Sequence, residues 1–188
     1  MSTWMVVEDE PDIYDVLLAM FEIWGIEGVA FVDGAEAVAW IEDVDHGRVR
    51  GDLPELAILD IRLPEISGPE VGKRLRESPI LGDIAIVLIT AYRLSPMDEQ
   101  AVIKEAQADL LMYKPLPAMP ELRRMMDDVI AKHKKKRAEP VASPANEKAV
   151  AAAPGTGSAL KNGEDEPAAS ESADKPAEAK PESKKDES

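Results

Sequence analysis

An α/β fold built on a parallel sheet is predicted by three features of the chain. Short apolar runs rich in strand-forming residues alternate five times with segments in which apolar residues recur at helical spacing. The central runs, Leu56-Ala57-Ile58-Leu59 and Ile84-Ala85-Ile86-Val87-Leu88-Ile89, are continuous rather than alternating, which suits strands buried on both faces. Four of the five runs end in reactive or polar groups: Glu8 and Asp9, Asp60, Thr90, and Lys114.

Each element has a local reason. Trp4 to Val7 is a short apolar strand, and Glu8-Asp9-Glu10-Pro11-Asp12 opens the first helix. Pro11 fits a first helical position, and acids favour the positive end of the helix dipole. Ile13, Val16, Leu17, Met20, Phe21 and Trp24 form its expected apolar stripe, and Gly25 stops it. Gly28 to Val32 reads as the second strand. Asp33 is placed to cap a helix that turns Ala35, Val38, Ile41 and Val44 inward and ends near His46-Gly47. A polar loop from Arg48 to Pro54 leads into the run that ends at Asp60, and Pro64 and Gly68 follow as turn punctuation. Gly68-Pro69-Glu70 opens a third helix, with Val71 and Leu75 as a thin stripe. After Asp83 comes the most apolar strand, ending at Thr90, then a helix from Ser95-Pro96 to about Gln107. Leu110 to Tyr113 is the last strand. The last helix carries Leu122, Met125, Met126, Val129 and Ile130, and its basic end, Lys132 to Arg137, complements the dipole.

Composition bounds the function. The formal net charge is −15, and up to Ala131 there are 26 acidic against 11 basic residues. So acidic a domain disfavours nucleic acid as a direct partner. There is no cysteine, which excludes disulfides and thiolate metal sites. His46 and His133 are the only histidines, too few for a histidine-rich zinc site, and both are expected at the solvated surface. No apolar run approaches the roughly 18 residues of a membrane span, and no signal peptide is evident, so no membrane association and a cytoplasmic location are expected. Residues 1–136 are expected to form one folded domain. Residues 137–188, rich in Ala, Pro, Glu and Lys and without an aromatic residue, are expected to be a disordered tail.

In a parallel sheet the carboxyl ends of the strands share one edge, where open α/β sheets bind their ligands. Glu8, Asp9, Asp60, Thr90 and Lys114 can therefore converge. Crowded carboxylates repel, and a hard divalent cation relieves this, with Mg²⁺ accepting one or two carboxylates, waters and phosphate oxygens. Asp60 can act as a carboxylate nucleophile toward phosphorus, and Lys114 and Thr90 can meet the phosphoryl oxygens. There is no G-x-G-x-x-G and no P-loop to support nucleotide binding.

The segments VVEDEPD, LAILDIRLPEISG, VLIT followed by Ala91, and YKP stand in order at these separations. With them the chain resembles the receiver domains of bacterial two-component response regulators. The resemblance covers the folded part and implies a (βα)5, doubly wound, five-stranded parallel sheet in the flavodoxin-like order 2-1-3-4-5. It implies that Asp60 accepts phosphate from a histidine kinase or phosphotransfer protein. It implies Mg²⁺ bound by Asp9 and Asp60, by Glu8 through water, and by the Arg62 carbonyl. Thr90, the Ala91 amide and Lys114 would contact the phosphoryl group, and the Lys114-Pro115 peptide would be cis. Such a protein is a regulatory phosphoacceptor, not an enzyme with a separate substrate. As a stand-alone regulator resembling the chemotaxis type, it would signal by phosphorylation-dependent contact with a downstream protein, and a phosphorylation-dependent homodimer stays open.

Two other readings differ in class. A pseudo-receiver would be a phosphorylation-independent scaffold, but such proteins lose the acid pair, the Asp or the Lys, and all are present here. An autonomous phosphohydrolase would need an added base and a substrate pocket that the sequence does not offer. The chain also departs from the family pattern. Gln107 replaces a frequent Gly, and Leu111 stands where many members carry a switching Tyr or Phe. The Tyr92 to Pro96 loop is therefore expected to carry the signal.

Overall fold

The structure is a computed structural model, and it describes residues 2–138. Five strands alternate with five helices: β1 (Thr3–Val7), α1 (Pro11–Ile23), β2 (Glu27–Phe31), α2 (Gly34–Asp45), β3 (Leu56–Asp60), α3 (Gly68–Glu77), β4 (Ala85–Thr90), α4 (Pro96–Ala106), β5 (Leu110–Tyr113) and α5 (Met119–Ala138). The strands form one parallel sheet in the order β2-β1-β3-β4-β5. This is the doubly wound, flavodoxin-like arrangement expected from the sequence.

The pleat of each strand divides the core in two. Trp4 and Val6 of β1 face one side, where they pack with Leu17 and Phe21 of α1 and with Met126 and Ile130 of α5. Met5 and Val7 face the other, against Ile41 of α2, Val71 and Leu75 of α3, and Ala106 of α4. The central strands are buried on both faces because helices cover both, which is why their sequences read as unbroken apolar runs. Trp4 anchors the first layer, meeting Phe21 and Trp24 edge-on with ring centroids 5.4 and 5.9 Å apart.

The caps follow the sequence. The Asp33 side chain accepts from Glu36 N at the start of α2, Ser67 and Glu70 form a capping box at α3, and Ser95 caps α4. Gln107 ends α4 with φ of 47°, taking the left-handed conformation that the frequent Gly adopts without strain. Gly72 lets α3 approach α4, since a Cβ there would lie 2.6 Å from the Ala106 Cβ.

Several sequence expectations are corrected. The second strand begins at Glu27 and ends at Phe31, leaving Val32 exposed. In α2 the buried alanine is Ala37, because the inward face runs through Ala37, Ile41 and Val44 rather than Ala35. Val16 of α1 is 48% exposed, at the margin of a stripe centred on Leu17 and Phe21. His133 is buried, because it continues the inward face of α5 through Leu122, Met126, Val129 and Ile130. Helix α5 also runs on through Arg137 and Ala138, and the rest of the expected tail lies outside the described residues. His46 is exposed, as expected. Among the described residues no helix is long and apolar enough to cross a membrane.

Candidate functional site

The parallel strands deliver their polar ends to one edge. Asp60 is the last residue of β3 and is 4% exposed. Glu8 follows β1 and Thr90 ends β4, both fully buried. Lys114 follows β5, its amide donating to the Thr90 carbonyl at 2.8 Å. The Lys114-Pro115 peptide is cis. The chain turns sharply after Asp60 and returns beneath it. A Cβ on Gly68 would lie 2.0 Å from the Asp60 carbonyl oxygen, so this crossing requires glycine.

Around Asp60 the hydrogen bonds are specific. Its Oδ1 accepts from the Arg62 amide at 2.7 Å, and its Oδ2 accepts from Lys114 Nζ. Lys114 Nζ also donates to Glu8 Oε1 at 2.9 Å and to Glu10 Oε1 at 2.7 Å. Glu8 Oε1 accepts from the Glu10 amide as well, whereas Glu8 Oε2 is buried without a hydrogen-bond partner among the described residues. Glu8, Asp9 and Asp60 each offer a carboxylate oxygen, and these oxygens lie within 4.8 Å of one another. Asp9 is the exposed member of the three.

This arrangement carries excess negative charge. Burial raises the pKa of Glu8 from its ordinary value, with the hydrogen bond from Lys114 pulling the other way and the Asp60 charge adding to the rise. For Lys114, burial disfavours the charge, but hydrogen bonds to Asp60, Glu10 and Glu8 outweigh it and raise its pKa. One ammonium thus faces several carboxylates, with an orphaned oxygen on Glu8. An all-oxygen, over-acidic donor set of this kind fits a hard divalent cation such as Mg²⁺.

The structure brings together Glu8, Asp9, Asp60 and Lys114. Thr90 stands beside them on the adjacent strand, with its Oγ1 accepting from the Tyr92 amide at 3.2 Å. Ala91 is exposed just beyond Thr90. The Arg62 guanidinium turns away from Asp60 and lies 3.8 Å from the centre of the Tyr92 ring, a cation–π contact joining the loops after β3 and β4. The far end of the second loop is tied down by Tyr113, whose Oη accepts from the Leu94 amide at 3.3 Å and donates to Glu99. Leu111 is half-buried against the α2–α4 layer and plays no part in these bonds.

Two residues were missed from the sequence. The sequence marks Glu10 only as part of a helix start, and Tyr113 only as a strand residue. A third consecutive acid beside a lysine-directed site was the available signal for Glu10. For Tyr113 it was a phenol directly before Lys114.

The comparisons agree with this geometry. The family model for the response regulator receiver domain matches residues 4–127. The polar-differentiation response regulator DivK of Brucella anthropi is 29% identical over 112 residues, which cover 60% of this chain and 83% of DivK. A CheY-like receiver domain from Methanospirillum hungatei JF-1 superposes with a TM-score of 0.59 at 20% identity, over 72% of this chain and 98% of that one. The receiver domain of a sensor histidine kinase from Pseudomonas aeruginosa PAO1, solved with magnesium coordinated in its active site cleft, gives 0.58 at 25% identity, over 69% and 98%. The sheet order, the acid cluster beneath Lys114 and the match over most of the described residues have one explanation: this chain belongs to the response regulator receiver domain family.

Proposed function

We propose that this receiver accepts a phosphoryl group on Asp60 in a Mg²⁺-dependent reaction and signals through contacts that depend on the phosphate. The observation that carries this reading is the Lys114 ammonium held against Asp60, whose carboxylate and those of Glu8 and Asp9 bring oxygens within 4.8 Å of one another. Glu8, Asp9 and Asp60 would hold the cation, Glu8 through water, with the Arg62 carbonyl as a further ligand by family resemblance. When bound, Mg²⁺ supplies positive charge to the phosphoryl oxygens. An Asp60 carboxylate oxygen attacks phosphorus while the bond to the donor group breaks and the donor leaves with the electron pair. Lys114, the Thr90 hydroxyl and the Ala91 amide then stabilise the phosphoryl oxygens.

The donor is a histidine kinase or phosphotransfer protein acting in the cytoplasm. An apolar groove lined by Ile13, Val16, Met20 and Leu116 opens beside Pro115, next to Lys114, and suits the contact such a donor protein would make. The scaffold alternative has no observation in its favour, since the acid pair, the Asp and the Lys are all in place. Phosphate at Asp60 would draw in Thr90 and, with it, the Tyr92 to Pro96 loop, reshaping the face of α4, β5 and α5 for a downstream protein or a second copy. The test is intact-mass measurement after incubation with acetyl phosphate and Mg²⁺. One phosphate adduct, lost in Asp60→Asn, is expected. An adduct that persists in Asp60→Asn, or none in the wild type, would falsify this reading.

A further inference from the structure

We infer that Glu10 is a positioning residue that restrains Lys114, so that a phosphoryl group on Asp60 must take the ammonium from Glu10. The inference rests on the phosphoacceptor reading above. A lysine ammonium has three hydrogens. Here all are spent on carboxylates, those of Glu8, Glu10 and Asp60. A phosphoryl oxygen can therefore reach Lys114 only if one of these bonds is given up.

The three acceptors differ in how freely they can leave. Asp60 is the reacting group. Glu8 is fully buried and is further fixed by the Glu10 amide on the same oxygen. The Glu10 side chain is 54% exposed and can turn into water at the least cost. Its backbone stays fixed, because its carbonyl accepts from the Ile13 and Tyr14 amides at the start of α1.

A second observation points the same way. Glu10 is the N-cap residue of α1, yet its side chain makes no capping bond. An N-cap side chain normally accepts from a free amide of the first turn. Glu10 forgoes this and reaches Lys114 instead. Its carboxylate also stands at the exposed mouth of the site, where an incoming phosphodonor brings negative charge.

The test follows labelling of the full-length chain by acetyl phosphate at saturating Mg²⁺ in wild type, Glu10→Gln and Glu10→Asp. In the reaction an Asp60 oxygen bonds to phosphorus as the bond to the acetyl oxygen breaks. Acetate leaves with the electron pair, and no proton is transferred. Beryllofluoride affinity, read from the Thr90 and Lys114 amide resonances, is a second measure that needs no turnover. Glu10→Gln is expected to raise the maximal labelling rate and tighten beryllofluoride binding by about three- to tenfold, the worth of one charged hydrogen bond at a partly exposed site. Glu10→Asp keeps the charge but stops one methylene short of Lys114, and is expected to shift both quantities in the same direction. The Mg²⁺-dependent rise in melting temperature should be equal in all three proteins.

Unchanged or slower labelling in Glu10→Gln overturns the inference. So does a Glu10→Asp protein indistinguishable from wild type, or a gain confined to KM, either of which assigns the effect to charge repulsion alone. A wild type that takes neither acetyl phosphate nor beryllofluoride overturns the phosphoacceptor reading and this inference with it. A wild type that takes both but is indifferent to Glu10 overturns only the latter.

Discussion

Charge gathers at both edges of this sheet, and the two clusters are built on opposite rules. At the amino edge, Asp109 precedes β5. Its Oδ1 pairs with His133 Nδ1 of α5 at 2.8 Å, and its Oδ2 accepts from the Ile86 amide at 2.9 Å and lies 3.4 Å from Arg76 of α3. Arg76 also donates to the carbonyls of Gly82, Ile84 and Gln107, and His133 Nε2 faces the Asp83 carbonyl at 3.2 Å. Each of these groups has a partner, and together they join α3, α5 and the starts of β4 and β5. At the carboxyl edge several carboxylates share one lysine, and a Glu8 oxygen has no partner. Partnered charge ties elements together. Unbalanced buried charge is unfavourable in itself, and it is what a site for a cation and a phosphoryl group requires.

The largest expected effect breaks the comparison at the reacting atom. Asp60→Asn should abolish acetyl phosphate labelling altogether while leaving the fold intact, as judged by near-ultraviolet circular dichroism. A labelled variant would mean that the unbalanced edge is not the acceptor.

Next is the amino edge. Asp109→Ala strips the Ile86 amide, Arg76 and His133 of an acceptor at once and should destabilise by about 2 kcal/mol. Urea unfolding measures this. Labelling of the folded fraction should stay at the wild-type rate. A small stability change with lost labelling would reverse the roles assigned to the two edges.

Glu8→Gln should move stability in the opposite sense. Burial raises the folded-state pKa of Glu8 above its unfolded value. The stability tied to its bound proton is therefore fully present below the unfolded pKa and is lost as pH rises through the folded one. Without Mg²⁺, then, the wild type should weaken as pH rises out of the acid range, and Glu8→Gln should remove that slope, gaining about 1 kcal/mol at neutral pH. Asp9→Ala should likewise gain stability without metal, and both variants should show a smaller rise in melting temperature with Mg²⁺. Equal Mg²⁺ responses in wild type and variants would exclude these carboxylates as ligands.

The smallest effect lies in the loop after β4. Tyr113→Phe removes the acceptor for the Leu94 amide, so hydrogen exchange at Leu94 should quicken severalfold with no change at Ile86. The hydrogen bond to Glu99 raises the Tyr113 pKa. The bond that Tyr113 donates to Glu99 should therefore hold below the ordinary tyrosine range and be lost as pH climbs through the raised value, a dependence that Tyr113→Phe should lack. In the wild type, beryllofluoride should alter exchange from Tyr92 to Gln107. Changes confined to the metal site would exclude this loop as the carrier of the signal.

Local chemistry decided much of this protein in advance. Unbroken apolar runs marked strands covered on both sides, Asp33 and Ser95 marked helix starts, and strand ends placed Glu8, Asp9, Asp60, Thr90 and Lys114 on one edge, because parallel strands share their direction. Tertiary structure decided what periodicity cannot express. Val16 and Leu17 are adjacent and equally apolar, and only the seat of α1 on β1 and β2 buries one and exposes the other. His133 and Lys132 are neighbours on a polar helix end, and only the meeting of α5 with Asp109 and the Asp83 carbonyl makes the histidine a buried tie. Glu10 and Lys114 are 104 residues apart, and the common carboxyl edge of β1 and β5, with β3 and β4 between them, lets their side chains meet at 2.7 Å. A sequence states which side chains carry charge. Which charges go unpaired is settled by long-range contacts, and at the carboxyl edge those contacts leave Asp60 among more acids than one lysine can neutralise.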